Sequence, residues 1–110
     1  MTPLPGYHGR CLMVDLSSRS YDVIEIPNEI LKSFVGGSGL GTWLLLEHCP
    51  DGVDPLTPES PLIFAFSPLV GSPLTTSAKF AVLSKSPLTQ RINDSLSSSG
   101  FAISGKKCGY

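Results

Sequence analysis

Two histidines, three cysteines and nine carboxylates are the groups in this 110-residue chain that could ligate metal or move protons. Their spacing favours neither. His8 stands beside an expected strand start and His48 at an expected helix end, with no serine, cysteine or aspartate placed to complete a nucleophile–base pair with either. Cys11, Cys49 and Cys108 are odd in number and widely separated, which is neither a disulfide framework nor a Cys-x-x-Cys metal pattern. Reduced, buried or incidental thiols are the expectation; a disulfide or a metal site shared with another chain is the alternative. Asp15, Asp22 and Glu25 fall on one expected hairpin and read as its wet side. On its own chemistry the chain has no catalytic constellation.

The unusual stretch is FVGGSGLGTWLLLEH, residues 34–48, where Gly36, Gly37, Gly39 and Gly41 run into Trp43 and three leucines. Each glycine disfavours a helix by about 1 kcal/mol relative to alanine, so their concentration needs a reason. The spacing misses Gly-x-Gly-x-x-Gly, and the glycines follow helical rather than strand sequence. Asp54 and Glu59 lie in a proline-rich loop, so a dinucleotide site is disfavoured. Two readings remain. The glycines turn the chain and let a second helix pack closely on a sheet, or they let backbone N–H groups approach a phosphate or another large polar ligand.

The elements that must position these residues are short. GRCLMVDL (9–16) alternates Leu12, Val14 and Leu16 onto one face, as a half-buried strand does. YDVIEI (21–26) reads as its hairpin partner across Ser17–Ser20. Asn28 is the expected N-cap of a helix over 29–34, and a second, mostly buried helix is expected from Leu40 to His48. CPDGVDPLTPESP (49–61) is a loop by its prolines. Leu62–Phe66 reads as a strand covered on both faces, and Lys79–Ser84 as another. A short extended piece is expected around Arg91–Ile92, then a helix near 101–107. The fold class is α+β: antiparallel-rich sheets with two or three short helices in one 110-residue unit.

Composition narrows the partners. Hydrophobic residues make up 41% and charged ones 15%, which indicates a packed core and some surface covered by other protein. A net charge of −1 with scattered basic residues leaves no footprint for nucleic acid or an anionic membrane. The apolar runs are far shorter than a membrane span, and the first residues lack a signal-peptide pattern, so a cytoplasmic location is expected. KKCGY (106–110) directly after an expected helix reads as an internal boundary.

Three segments in order carry a resemblance: GRCLMVDLSSRSYDVIEIP, FVGGSGLGTWLLLEHCPDGVDPLTPESPLIFAFSPLVG and KFAVLSKSPLTQRINDSLSSSGFAISGKKCGY. Together they resemble the N-terminal domain of the aldehyde:ferredoxin oxidoreductase family over almost the whole chain. The resemblance implies tungsten (or molybdenum) held by two pterins whose phosphates are bridged by magnesium. It also implies a [4Fe–4S] cluster bound by later domains, aldehydes as substrates and ferredoxin as electron acceptor. This domain would be the first part of a pseudo-twofold platform beneath the pterins, with the other domains of the same enzyme as its partners. Cys11, Cys49 and Cys108 do not inherit the cluster role.

Position by position, Gly36, Gly37, Gly39 and Gly41 match the family's glycine-rich turn, which implies backbone proximity to the cofactor. Lys79 stands where the family commonly has an arginine between cofactor and cluster; lysine keeps the charge and loses the planar fork. Ser95-Leu96-Ser97-Ser98-Ser99 aligns with a stretch usually reading Ser-Asn-Ser-Gly-Gly that touches pterin and magnesium. Leu96 thus replaces an asparagine, and Ser98 and Ser99 replace glycines. The implied cofactor-binding set is Gly36, Gly37, Gly39, Lys79, Leu96, Ser97 and Ser98, with no catalytic residue and no side-chain metal ligand. A non-catalytic scaffold or protein-binding module derived from the same domain is the competing expectation. Open sheet edges in half of a duplicated domain further imply association, for which a homodimer is the simplest form.

Overall fold

A computed structural model describes residues 4–110 of the chain. The first sheet is an antiparallel hairpin of β1 (Arg10–Asp15) and β2 (Ser20–Glu25), turned by Asp15, whose carboxylate accepts the Ser17 N–H at 2.9 Å. Two helices follow, α1 (Asn28–Phe34) and α2 (Gly37–His48). A second, three-stranded antiparallel sheet has the order β3 (Ile63–Phe66), β4 (Lys79–Lys85), β5 (Ile92–Ser98), and α3 (Gly100–Lys107) ends the chain. Ser99 caps α3 by accepting the Phe101 N–H. The expected α+β class, antiparallel-rich with two or three short helices, holds: the described residues form three helices and two antiparallel sheets.

The register divides the second sheet into two faces, because directly paired residues share a side. Ala65, Ala81 and Leu96 form one row and Ile63, Leu83 and Asp94 the next. α2 lies over this face, and Ala81 and Leu83 beneath it are fully buried. Ile63 joins them to a second core of Ile26, Leu31, Leu40 and Leu44. The opposite face carries Phe64, Phe66 and Phe80, on which α3 sets Phe101, with ring centroids 4.9 Å from Phe80 and 5.7 Å from Phe64. Gly105 lets α3 approach: a Cβ there would stand 2.5 Å from the Phe66 ring.

Several expectations are corrected. The helix over 29–34 starts one residue earlier, with Pro27 rather than Asn28 at the cap position. Pro27 has the fixed φ such a position tolerates. The second helix begins at Gly37, not Leu40, so the turn between the helices shrinks to Val35 and Gly36. There the Gly36 N–H donates to the Phe34 carbonyl at 2.8 Å across Val35, whose φ of 65° and ψ of −73° make a strained γ-turn. β3 is not covered on both faces, since Phe64 remains 48% exposed. The piece at Arg91–Ile92 extends into a seven-residue strand that absorbs Ser95–Ser98, exposed throughout. Leu12, Val14 and Leu16 do not face the core either. Cys11 packs inward instead, and the Leu12/Val23 and Val14/Tyr21 pairs form an uncovered apolar face. Both sides of this hairpin are apolar, and this chain supplies cover for one.

Candidate functional site

Where β4 and β5 run together, two hydrogen bonds outside the strands set the phase of the ladder. Ser99 N–H donates to the Ala78 carbonyl and Ser86 N–H to the Arg91 carbonyl. In an antiparallel pair bonded and non-bonded partners alternate, so Ser97, Ser95 and Asn93 bond to β4. Ser98, Leu96 and Asp94 direct their N–H and C=O groups out of the free edge of β5. Their side chains share the face on which α2 lies, as does Lys79 opposite Ser98. Ser97, opposite Phe80, belongs to the aromatic face. The structure therefore brings Lys79, Leu96 and Ser98 together and sets Ser97 apart.

The start of α2 reaches the same face. Ser38 donates its hydroxyl to the Asp94 carboxylate at 2.9 Å, and Asp94 is two residues before Leu96. The four glycines divide in role. A Cβ at Gly36 would stand 2.9 Å from the Phe66 carbonyl and from Pro68, and one at Gly39 2.5 Å from the Phe34 carbonyl. At Gly41 a Cβ would run into the Leu83 side chain. These three permit packing of backbone on backbone or on core. Gly37 differs: its φ is +54° and nothing lies within 4 Å of a Cβ built there. The close-packing reading thus holds for Gly36, Gly39 and Gly41, while Gly37 stands in open space.

No side chain caps α2. The Leu40 N–H donates to the Gly36 carbonyl, which leaves the N–H groups of Gly37, Ser38 and Gly39 as helix-start donors with no intrahelical partner. Gly37 and Ser38 are half-buried and Gly39 is exposed. Such donors favour an anionic group; the Lys79 ammonium stands further along the same face, opposite Ser98, while the outward carbonyl of Leu96 can accept a donor or ligate a hard cation. Among the described residues no group of three or more His, Cys, Asp or Glu side chains is placed to hold a metal ion.

Sequence reasoning missed Ser38 and Asp94, which join the two halves of the site across 56 positions. The signal available was weak: a helix start shifted into the glycines would have put Ser38 in the first turn. The cysteines lie apart, Cys11 and Cys49 half-buried and Cys108 exposed, all reduced. Burial raises the Cys11 thiol pKa above its usual value.

Residues 11–110 match the family described as aldehyde ferredoxin oxidoreductase, N-terminal domain. The chain belongs to this family. Among its relatives, a tungsten-containing aldehyde ferredoxin oxidoreductase of Pyrococcus furiosus is 39% identical over 105 residues, covering 96% of this chain and 17% of the relative. The protein of the same description from Pyrococcus horikoshii is 35% identical, with the same coverage of each chain. An aliphatic sulfonate oxidoreductase, WOR-like subunit, of Pyrococcus furiosus is also 35% identical, over 108 residues, again 96% of this chain and 17% of the relative. Among solved structures, the active-site complex BamBC of benzoyl coenzyme A reductase with 1,5-dienoyl-CoA superposes with a TM-score of 0.89 at 30% identity. That match covers 96% of this chain and 16% of the solved one. The chain thus spans about one sixth of the relatives it matches, and those relatives are named for different reactions. Among the described residues no helix is long and apolar enough to cross a membrane.

Proposed function

We propose that this chain is the cofactor platform of a tungsten (or molybdenum) bis-pterin oxidoreductase, contributing binding groups and no reacting group. One observation carries the reading: the uncapped start of α2, with an open position at Gly37, shares a face with Lys79, Leu96 and Ser98. The donor chemistry fits the ligand. Pterin phosphates are anionic, and the Gly37–Gly39 N–H groups and Lys79 are donors suited to them. Magnesium takes oxygen ligands, and the departure from asparagine at Leu96 leaves a backbone carbonyl on the open edge to serve as one. Ser98 narrows the approach that glycine allows and offers a hydroxyl in return.

When bound, the metal–pterin group would supply the two-electron redox chemistry. The residues of this chain hold and orient its phosphate end. The relatives named aldehyde ferredoxin oxidoreductases favour oxidation of an aldehyde with water to a carboxylate, releasing three protons and two electrons, with the electrons passing through a [4Fe–4S] cluster to ferredoxin. Cluster, aldehyde pocket and ferredoxin surface are assigned to other domains of the same enzyme, in a cytoplasmic protein. Metal analysis of the native gene product, made in a host that synthesises the cofactor, tests the platform. Tungsten or molybdenum in near-stoichiometric amount is expected. A folded product free of both overturns it.

The uncovered Leu12–Val23 and Val14–Tyr21 pairs favour a second reading, a non-catalytic module that docks on protein. An open reading frame continuing past Tyr110 with clustered cysteines would count against it.

A further inference from the structure

From Gly36 to Gly39 the chain carries a single side chain, that of Ser38. Ser38 is therefore the one residue of this stretch whose side chain can anchor the start of α2 to another element. It does so: its hydroxyl donates to the Asp94 carboxylate at 2.9 Å. From within the helix the Thr42 hydroxyl holds the Ser38 carbonyl at 2.7 Å. The body of α2 packs on β3 and β4, whereas the Ser38 bond reaches past them to β5, the outer strand of the sheet. β5 is exposed throughout, and its sequence INDSLSS is poor in residues that favour a strand. Pairing with β4 fixes one of its edges; among the described residues no strand pairs with the other. The Ser38–Asp94 bond thus ties a glycine-flanked helix start to a weakly specified outer strand.

We propose that Ser38 and Asp94 are positioning residues, whose hydrogen bond sets the distance between the α2 helix-start donors and the β5 edge so that both engage one bound cofactor. The inference rests on the platform reading and deepens it. On one side of the bond stand the N–H groups of Gly37, Ser38 and Gly39. On the other, Asp94 shares its strand face and free edge with Leu96 and Ser98, about 7 and 13 Å further along β5. The bond occupies the Ser38 hydroxyl and leaves the backbone donors of the helix start to a ligand. A ligand that touches two elements gains fully from both only when their separation is set before it binds. One exposed hydrogen bond contributes little to overall stability, so its loss should be felt at the site far more than in folding. Asp94 serves here as an acceptor of a hydroxyl proton, a role that the amide oxygen of asparagine can also fill.

The test measures the ratio of tungsten or molybdenum to protein after exhaustive dialysis of the native gene product, made in a host that synthesises the cofactor. Ser38→Ala and Asp94→Ala should each lower the ratio about threefold or more. The double variant should fall no further than either single one, because a single bond is lost. Asp94→Asn keeps an acceptor oxygen and should recover at least about half of what Asp94→Ala loses. As a control, Thr57→Ala deletes a hydroxyl bond to the Asp54 carbonyl in the loop over 49–61 and should leave the ratio unchanged. Circular dichroism and melting establish folding, with midpoints expected within about 3 °C of the starting protein. The two substitutions remove one bond from opposite ends, so one folded variant suffices. A loaded native protein with equally loaded Ser38→Ala and Asp94→Ala variants overturns this inference alone. So do additive losses in the double variant, or an Asp94→Asn protein as depleted as Asp94→Ala. A native product without either metal overturns the platform reading, and this inference with it.

Discussion

Gly41→Ala sets two magnitudes against each other. Gly41 is the fifth residue of a twelve-residue helix, where alanine is favoured by about 1 kcal/mol. The new methyl group would meet Leu83, which is fully buried between β4 and α2 and has no solvent to turn into. Overpacking a closed core destabilises by roughly 1–3 kcal/mol, so the net expectation is a loss of about 1 kcal/mol. With a denaturant slope of about 1–2 kcal/mol per molar, the urea midpoint should fall by about 0.5–1 M. Leu83→Val alone removes one methylene and should cost about 1 kcal/mol. In the double variant the alanine methyl fills the space that valine vacates, and stability should return to within about 0.5 kcal/mol of the starting protein, a coupling well above that of independent sites. A more stable Gly41→Ala single variant, or strict additivity in the pair, would refute the assignment of this glycine to close packing.

Other outcomes follow from the same geometry. Val35→Gly should stabilise by about 1 kcal/mol, because release of a γ-turn strain of about 1–3 kcal/mol outweighs the added chain entropy; calorimetry showing destabilisation would contradict it. Backbone N–H donation from Ser18 and Ser17 holds the Asp15 carboxylate below its ordinary pKa. Its contribution to the hairpin should therefore be present above the unfolded-state value and disappear as pH falls through the folded one. An NMR titration should show the Ser17 and Ser18 amides moving at that lowered pH, and Asp15→Asn should abolish the shift. Burial raises the Cys11 pKa while Cys108 is exposed. Alkylation followed by mass spectrometry should therefore label Cys108 first, with Cys11 reacting only at higher pH; equal rates would be inconsistent with the packing.

What the sequence could convey differs by element. The hairpin was legible because Leu12, Val14 and Leu16 alternate and a second β-prone run, YDVIEI, follows a polar turn, but alternation identifies an apolar face without naming its cover. The loop over 49–61 was plain from its prolines. β5 was not: INDSLSS is polar and poor in β-formers, and its pairing with β4 makes it a strand. The start of α2 was misplaced because helix propensity argues against Gly37, Gly39 and Gly41, whereas close approach to Phe34 and Leu83 favours glycine at 39 and 41 and the positive φ favours it at 37. In the site, Lys79, Leu96 and Ser98 came from family resemblance. The division of roles among the glycines required coordinates, as did the Ser38–Asp94 bond between residues far apart in the chain.

The platform is tested most directly at Gly37, whose left-handed backbone asparagine tolerates better than most residues and whose surroundings leave room for a side chain. The ratio of tungsten or molybdenum to protein is measured in the native gene product and in its Gly37→Asn variant, with matching circular dichroism and melting. The account predicts a metal-loaded native protein and a folded variant whose loading falls at least severalfold. Equal loading in the two proteins would contradict it.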